Sequence, residues 1–433
     1  MKIQPVRGTR DFYPQQMAVR NWISDVWRRV SLRHGFQEYD GPIFEYLELY
    51  TAKSGQEIVD QLFHLTDRGG RKLAIRPEMT PTLARMIAAR IQSLPRPIKW
   101  FSISRLCRGE RPQRGRLREF FQWNLDIVGA DEPLADAECI VAAVDSLREF
   151  GLGPADVVVK INDRRLMVAI FDQLGIPADA HEQAFALLDK ATRLDPDHLA
   201  QLWNQTPPGG VPFEKIQPLL QLQGLASLSG SPPAVLRGAA VSRSVDSLRR
   251  LFDLLESFGV SEFCDFDARI VRGLAYYTGP VYEAFDRAES LRALLGGGRY
   301  DNLLASLGGP AISGTGMGMG DVVLLELLGR LGRLPQPAPT TQLYLIDADP
   351  EMFNQVVRTA AELRRRGWQC EFSYKRQSLA KQLAAASARQ ALRCAIFGQE
   401  TRQHNQVTVK DLASGRQCQI PLTEFLQQPM KPL

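Results

Sequence analysis

The chain has 433 residues, 44% hydrophobic and 23% charged, with a formal net charge of +5. This is the composition of a soluble globular protein with room for two or three domains, and its mild basicity is compatible with RNA binding without arguing for it. Six cysteines (107, 139, 264, 370, 394, 418) lie far apart with no Cys-x-x-Cys pair, and no apolar run approaches membrane-spanning length. These features count against a disulfide framework, a zinc site and a membrane anchor, and point to a cytoplasmic protein, with an organelle address still compatible.

Val6-Arg-Gly-Thr-Arg-Asp-Phe-Tyr-Pro14 is a polar, turn-punctuated opening. From Gln15 to His34, apolar residues at 19, 22, 23, 26, 27 and 30 mark one face of an amphipathic helix, with Gly35 as its C-terminal cap. A strand-like run over Phe36–Tyr46 contains Pro42. Leu73-Ala-Ile75 leads to Arg76-Pro-Glu-Met-Thr-Pro81 and a helix to Ile91 with Pro81 in its first turn. Helix capping is the default explanation of Glu78 and Thr80.

Apolar Ile98–Ile103 and Leu125–Val128 flank Arg105–Asp126, whose turn residues Gly109, Pro112 and Gly115 predict a long antiparallel hairpin. Arginines occupy 105, 108, 111, 114, 116 and 118. A guanidinium stays charged and bonds two phosphate oxygens at once, and Phe120 and Phe121 offer a stacking face for a base. A solvated basic hairpin fits the arginines alone equally well.

Further on, a helix is predicted over Ala135–Phe150, a core strand over Val157–Ile161, and helical stretches from Leu166 to Trp203. Pro/Gly punctuation at 206–212 and 230–233 marks loops of a helical insertion, about 171–240. In Asp267–Glu283, Arg272-Gly precedes Tyr276-Tyr277 and a Thr-Gly turn. The tyrosines alone read as packing, but Arg272 beside two phenols reads as a site. A phenol hydroxyl and the Asp126 carboxylate can bracket the two nitrogens of an imidazole and reject analogues that leave them unpaired. Gly296-Gly-Gly-Arg-Tyr-Asp301 allows close backbone approach, with Arg299 and Tyr300 toward a pocket. Gly314–Gly320 then runs into a helix, Asp321–Leu331, without the spacing of a dinucleotide fingerprint.

The proline-rich 334–340 stretch is a linker. Beyond it, strands at 343–346, 370–372 and 394–397, helices at about 350–366 and 378–390, and a hairpin over 405–421 predict a small α/β domain with a basic side. The expected division is 1–332 (with the insertion), a linker at 333–341, and 342–433.

The run Arg108-Gly-Glu-Arg, a loop, and Arg116-Leu-Arg-Glu-Phe-Phe-Gln122 resembles motif 2 of class II aminoacyl-tRNA synthetases. Trp123-Asn-Leu-Asp126 and Arg272-Gly-Leu-Ala-Tyr-Tyr277 resemble the histidyl-tRNA synthetases. The resemblance spans nearly the whole chain. It implies an α+β class II catalytic domain, an antiparallel sheet with helices and a helical insertion, followed by a C-terminal α/β anticodon-binding domain. It implies histidine–tRNA ligase activity through a histidyl-adenylate, with ATP, Mg²⁺ carried on ATP rather than by a protein metal site, histidine tRNA, and a homodimer built on the 15–46 region.

By the same resemblance, Glu78, Met79, Thr80, Arg108, Gln122, Asp126, Arg272, Tyr276 and Tyr277 bind histidine. Arg108, Glu110, Arg116 and Phe120 bind ATP, and Arg108 and Arg272 are catalytic. Two departures stand out. Ala275 occupies the place of an aspartate, and Gly320-Asp321 occupies the place of a motif 3 Glu-Arg pair whose arginine touches the γ-phosphate. These departures leave one alternative, a non-catalytic histidine-binding paralogue that regulates ATP phosphoribosyltransferase.

Overall fold

The computed structural model describes residues 3–51, 61–191, 194–228, 237–272, 276–336 and 341–432. The chain forms two compact units, Met1–Pro335 and Gln336–Leu433. Gly273, Ala275 and part of the proline-rich linker lie outside the described residues.

In the first unit the strands are β1 (Gln37–Glu38), β2 (Phe44–Tyr46), β3 (His64–Thr66), β4 (Lys72–Ile75), β5 (Ile98–Cys107), β6 (Glu119–Val128), β7 (Val157–Asp163), β8 (Cys264–Phe266), β9 (Pro280–Asp286), β10 (Leu295–Arg299) and β11 (Gly314–Gly320). Eight of them form one sheet in the order β1-β5-β6-β11-β10-β9-β7-β8, antiparallel except at its two ends. The predicted hairpin forms its second and third strands, with Arg105 opposite Phe121 and Ile98 opposite Val128.

The predicted single strand over 36–46 is instead two. β1 pairs parallel with β5, whereas β2 joins a separate three-stranded sheet, β2-β4-β3. Gly41 and Pro42 sit at the break, and a proline cannot donate to a ladder, so the chain changes sheets there.

The first helix spans Pro14–Arg33 and buries Ile23, Val26, Trp27 and Val30, the face its periodicity predicts. Gly35 follows with φ +75°, a conformation that costs glycine nothing. Trp27 stacks on Trp123 of β6 at 6.1 Å between ring centroids, fixing the helix to the back of the sheet. The Pro133–Glu149 helix, rich in alanine and valine, is buried over most of its length, and the Ala239–Ser257 helix packs against it. The helical stretches predicted from Leu166 to Trp203 are helices at Arg164–Leu174, His181–Leu188 and Pro196–Gln205, and a further helix follows at Phe213–Leu220. Gly175 in the left-handed region and Pro177 end the first of these.

The second unit is a five-stranded sheet, β13-β12-β14-β15-β16, where β12 is Leu343–Asp347, β13 Cys370–Phe372, β14 Arg393–Phe397, β15 Gln406–Asp411 and β16 Gln417–Pro421. β12, β13 and β14 are parallel, joined by helices at Phe353–Arg365 and Leu379–Ala388. The β15–β16 hairpin adds the antiparallel edge and turns at Ser414-Gly415. Two short helices, Gln399–His404 and Leu422–Gln427, have no counterpart in the sequence reading.

Candidate active site

Strand alternation builds the site. On β6, Trp123, Leu125 and Ile127 enter the core behind the sheet, while Gln122, Asn124 and Asp126 face a cavity of about 650 Å³ in front of it. Asp126 is opposite Gly316 of β11, Asn124 opposite Gly318, and Gly318 in turn opposite Gly296 of β10.

These glycines are required, but not for the reason their sequence suggests. A Cβ at Gly316 would overlap the Asp126 carboxylate, one at Gly318 would lie 2.7 Å from the Gln122 amide, and one at Gly296 would overlap the Arg272 guanidinium. The bare strands make a floor on which the site's own side chains lie.

At one end of the cavity Tyr300 donates a hydrogen bond of 2.5 Å to Asp126 Oδ1. Asp126 Oδ2 is buried and receives no hydrogen bond among the described residues. Burial pushes this carboxyl up to about 7, against the stabilising hydrogen bond from Tyr300. The same burial, with Asp126 beside it, holds the Tyr300 phenol well above its ordinary range, so it remains a donor. The pair thus keeps one carboxylate oxygen as an unsatisfied acceptor.

Beside it, Tyr276 donates to Glu78 Oε2 at 3.2 Å. Neither Glu78 nor Thr80 holds the cap position of the helix that begins at Thr80. Met79 is the capping residue, and its own side chain makes no capping hydrogen bond. Both Glu78 and Thr80 line the cavity, whereas Met79 is fully buried and does not.

Arg272 has φ +52°, a strained conformation for a residue with a side chain, and its guanidinium is ion-paired with Glu283. Arg108 donates to the Pro77 carbonyl at 3.0 Å and lies 5.4 Å from the centre of the Phe120 ring. Arg116 pairs with Glu110 at 2.8 Å.

Of the twelve residues expected in the site, all but Met79 line this one cavity. Of the other two, Tyr300 lines it, but Arg299 turns to the opposite face, where it makes a buried ion pair with Asp136 at 2.7 Å. The phenol that meets Asp126 is therefore Tyr300, whereas the notable Tyr276 meets Glu78. Glu283, Asn124 and Arg292 also line the cavity and escaped the sequence reading. Alternation along β6 from Asp126 points to Asn124. No local pattern points to the other two.

Asp321, at the place of the motif 3 pair, is 1% exposed. It accepts from the Phe121 N–H at 3.0 Å and pairs with Arg10 at 2.6 Å, so it anchors the hairpin to the following helix and offers nothing to the cavity.

The family model of histidyl-tRNA synthetase matches residues 8–320. The chain belongs to the histidyl-tRNA synthetase family. A second family model, the anticodon binding domain, matches residues 342–428. Relatives of this synthetase family match almost end to end. The chain is 38% identical to the histidine–tRNA ligase of Opitutus terrae over 96% of both chains. It is 36% identical to the chloroplastic/mitochondrial histidine–tRNA ligase of Arabidopsis thaliana over 98% of this chain and 86% of that one. The crystal structure of histidyl-tRNA synthetase from Nostoc sp. PCC 7120 shares the fold, with a TM-score of 0.82 over 99% of this chain and 100% of that one at 24% identity.

Proposed function

We propose that this chain is a histidine–tRNA ligase that activates histidine with ATP and transfers it to the 3′ end of histidine tRNA. The observation that carries the reading is the continuity of one cavity from the Asp126–Tyr300 pair to Arg272 and Arg108. Relatives named histidine–tRNA ligase match nearly the full length, and the 342–428 anticodon-binding match favours the ligase over the regulatory paralogue.

In this reading the imidazole N–H of histidine donates to Asp126 Oδ2. Glu78 and Thr80 receive the α-ammonium, with Tyr276 holding the Glu78 carboxylate in place. A carboxylate oxygen of histidine attacks the α-phosphorus, and the bond to the β-phosphate oxygen breaks, so that pyrophosphate leaves with the electron pair. Arg108 and Arg272 neutralise the charge gathering between the two reactants. The adenine stacks on Phe120. The terminal ribose hydroxyl of the tRNA then attacks the adenylate carbonyl and AMP departs, the hydroxyl proton leaving with it or to solvent.

No protein nucleophile is needed. Mg²⁺ enters with ATP as part of the substrate. The carboxylates at that side of the cavity, Glu110, Glu283 and Glu326, are each engaged by an arginine, which suits an ion held by phosphate oxygens and water.

A homodimer is part of the proposal. Ile43, Phe44, Tyr46 and Leu65, on and beside the small sheet, are between 40% and 56% exposed, an apolar face suited to a second copy. We read the protein as cytoplasmic from its composition and cysteine spacing; among the described residues no helix is long and apolar enough to cross a membrane.

The deciding experiment is histidine-dependent exchange of pyrophosphate into ATP together with charging of histidine tRNA. Histidine binding without exchange would overturn the ligase in favour of the regulatory paralogue.

A further inference from the structure

Positive charge for the leaving pyrophosphate must come from outside the helix that closes the cavity. That helix, Asp321–Arg330, presents Val322, Val323 and Glu326 to the cavity; Asp321 is turned away to Arg10. Its one arginine, Arg330, lies in the last turn on Ser290 and Glu326.

Positions along β11 give the axis. Gly316 lies under Asp126, Gly318 is opposite the Gly296 that carries Arg272, and Gly320 leads into the helix. At about 3.4 Å per residue, Gly316 to Gly320 spans roughly 14 Å. With the imidazole at Asp126 and the α-phosphorus at Arg272, the remaining phosphates extend toward the helix end.

Three chain segments converge there: the hairpin tip at Gly115, the first turn of the helix at Val323, and the loop carrying Arg292. A Cβ placed at Gly115 would lie 3.5 Å from Arg292 Cδ, 3.9 Å from its Cγ and 3.5 Å from a Val323 methyl. The stem of Arg292 is thus seated against the tip, and its side chain lines the cavity.

We propose that Arg292 grips the β- and γ-phosphates of ATP and carries away the pyrophosphate, in place of a basic residue in the first turn of the helix. This deepens the ligase reading and rests on it. A guanidinium seated between two fixed segments loses little freedom on binding phosphate.

The test uses Arg292→Ala and Arg292→Lys in the full chain, with Arg330→Ala as a control. Histidine-dependent exchange supplies KM for ATP and for histidine, and calorimetry compares ATP, AMP and inorganic pyrophosphate. Arg292→Ala is expected to raise KM for ATP and weaken pyrophosphate binding tenfold or more, leave AMP and histidine within twofold, and be partly rescued by lysine. Unchanged ATP kinetics, or equal losses for AMP and ATP, would overturn the inference and leave Arg292 as a prop for the hairpin. If the unaltered chain performs no exchange, the ligase reading falls, while the ATP-against-AMP comparison still decides on Arg292. Should Arg292→Ala fail to fold, Arg292→Lys and Arg292→Gln carry the same comparison.

Discussion

Tyr300 and Asp126 share a 2.5 Å hydrogen bond that consumes one carboxylate oxygen and leaves the other buried with no hydrogen bond among the described residues. One oxygen fixes the side chain; in the ligase reading the other receives the imidazole N–H. Asp126→Asn keeps an acceptor for Tyr300 but replaces the receiving oxygen with an amide that can be a donor. A charge-assisted hydrogen bond contributes about 1.5–3 kcal/mol, so KM for histidine in the exchange assay should rise roughly 10- to 100-fold, with KM for ATP little changed.

The pH dependence follows from the same pair. Burial raises the Asp126 carboxyl to about 7, so below that pH it is largely protonated and a poor partner for an imidazole N–H. Histidine affinity should therefore climb between pH 6 and 8 by more than the free amino acid's own titration explains. Asn at 126 should remove the excess. Stability runs the other way. Between about pH 4 and 7 the folded chain holds a proton that the unfolded chain has released, so this group's contribution is present at low pH and lost as pH rises through 7. Denaturant unfolding of Asp126→Asn should lack that downward slope.

Two glycine substitutions separate catalysis from folding. The three atoms nearest a Cβ at Gly296 all belong to the guanidinium end of Arg272, a side chain that can swing aside. Gly296→Ala should leave the thermal midpoint within a few degrees yet lower the exchange rate about 100-fold, the scale expected for misplacing a reacting group by an ångström. At Gly316 the Cβ also meets the Leu125 carbonyl at 2.7 Å, where backbone must move. Gly316→Ala should cost about 1–3 kcal/mol of stability as well as histidine binding. Equal stability losses in the two variants would refute this division.

Arg10 matters through Asp321. The carboxylate is 1% exposed and pushed upward by burial, with Arg10 opposing that rise. Replacing Arg10 by methionine leaves a buried charge uncompensated, at a cost of about 3 kcal/mol in unfolding free energy. Adding Asp321→Asn should recover much of it, because the amide still accepts from the Phe121 N–H. No recovery in the double variant would mean that Arg10 acts through its contact with Phe12 instead.

Part of this site was legible because several of its residues fall in one hairpin, Arg105–Asp126. Period-two alternation on β6 puts Gln122 and Asp126 on one face, and the arginines cluster within one hairpin. What stayed hidden depends on distance in sequence. Tyr300 and Asp126 are 174 residues apart, and nothing near either announces the other. Arg10 and Asp321 are 311 apart, so a position that read as a missing phosphate ligand is a buried anchor. Met79, implied by the resemblance alongside Glu78 and Thr80, is fully buried while they line the cavity, because neighbours in a turn do not share a direction. The break at Gly41-Pro42 was visible as a proline, yet only the partner strands show that it divides two sheets.

The second unit offers a test that leaves amino-acid activation untouched. Tyr374 is 84% exposed, its ring 5.6 Å from Phe372, which in turn lies 6.5 Å from Phe353 and carries Arg364 at 5.4 Å. Exposed rings beside Lys375 and Arg376 suit unpaired bases, which stack on aromatic faces for about 1–3 kcal/mol each. In the ligase reading, Tyr374→Ala should raise KM for histidine tRNA in charging by roughly 5- to 100-fold while pyrophosphate exchange without tRNA stays at the unaltered rate. A parallel fall in both assays would place the defect in folding. Unchanged charging would show that the tRNA does not reach this ring.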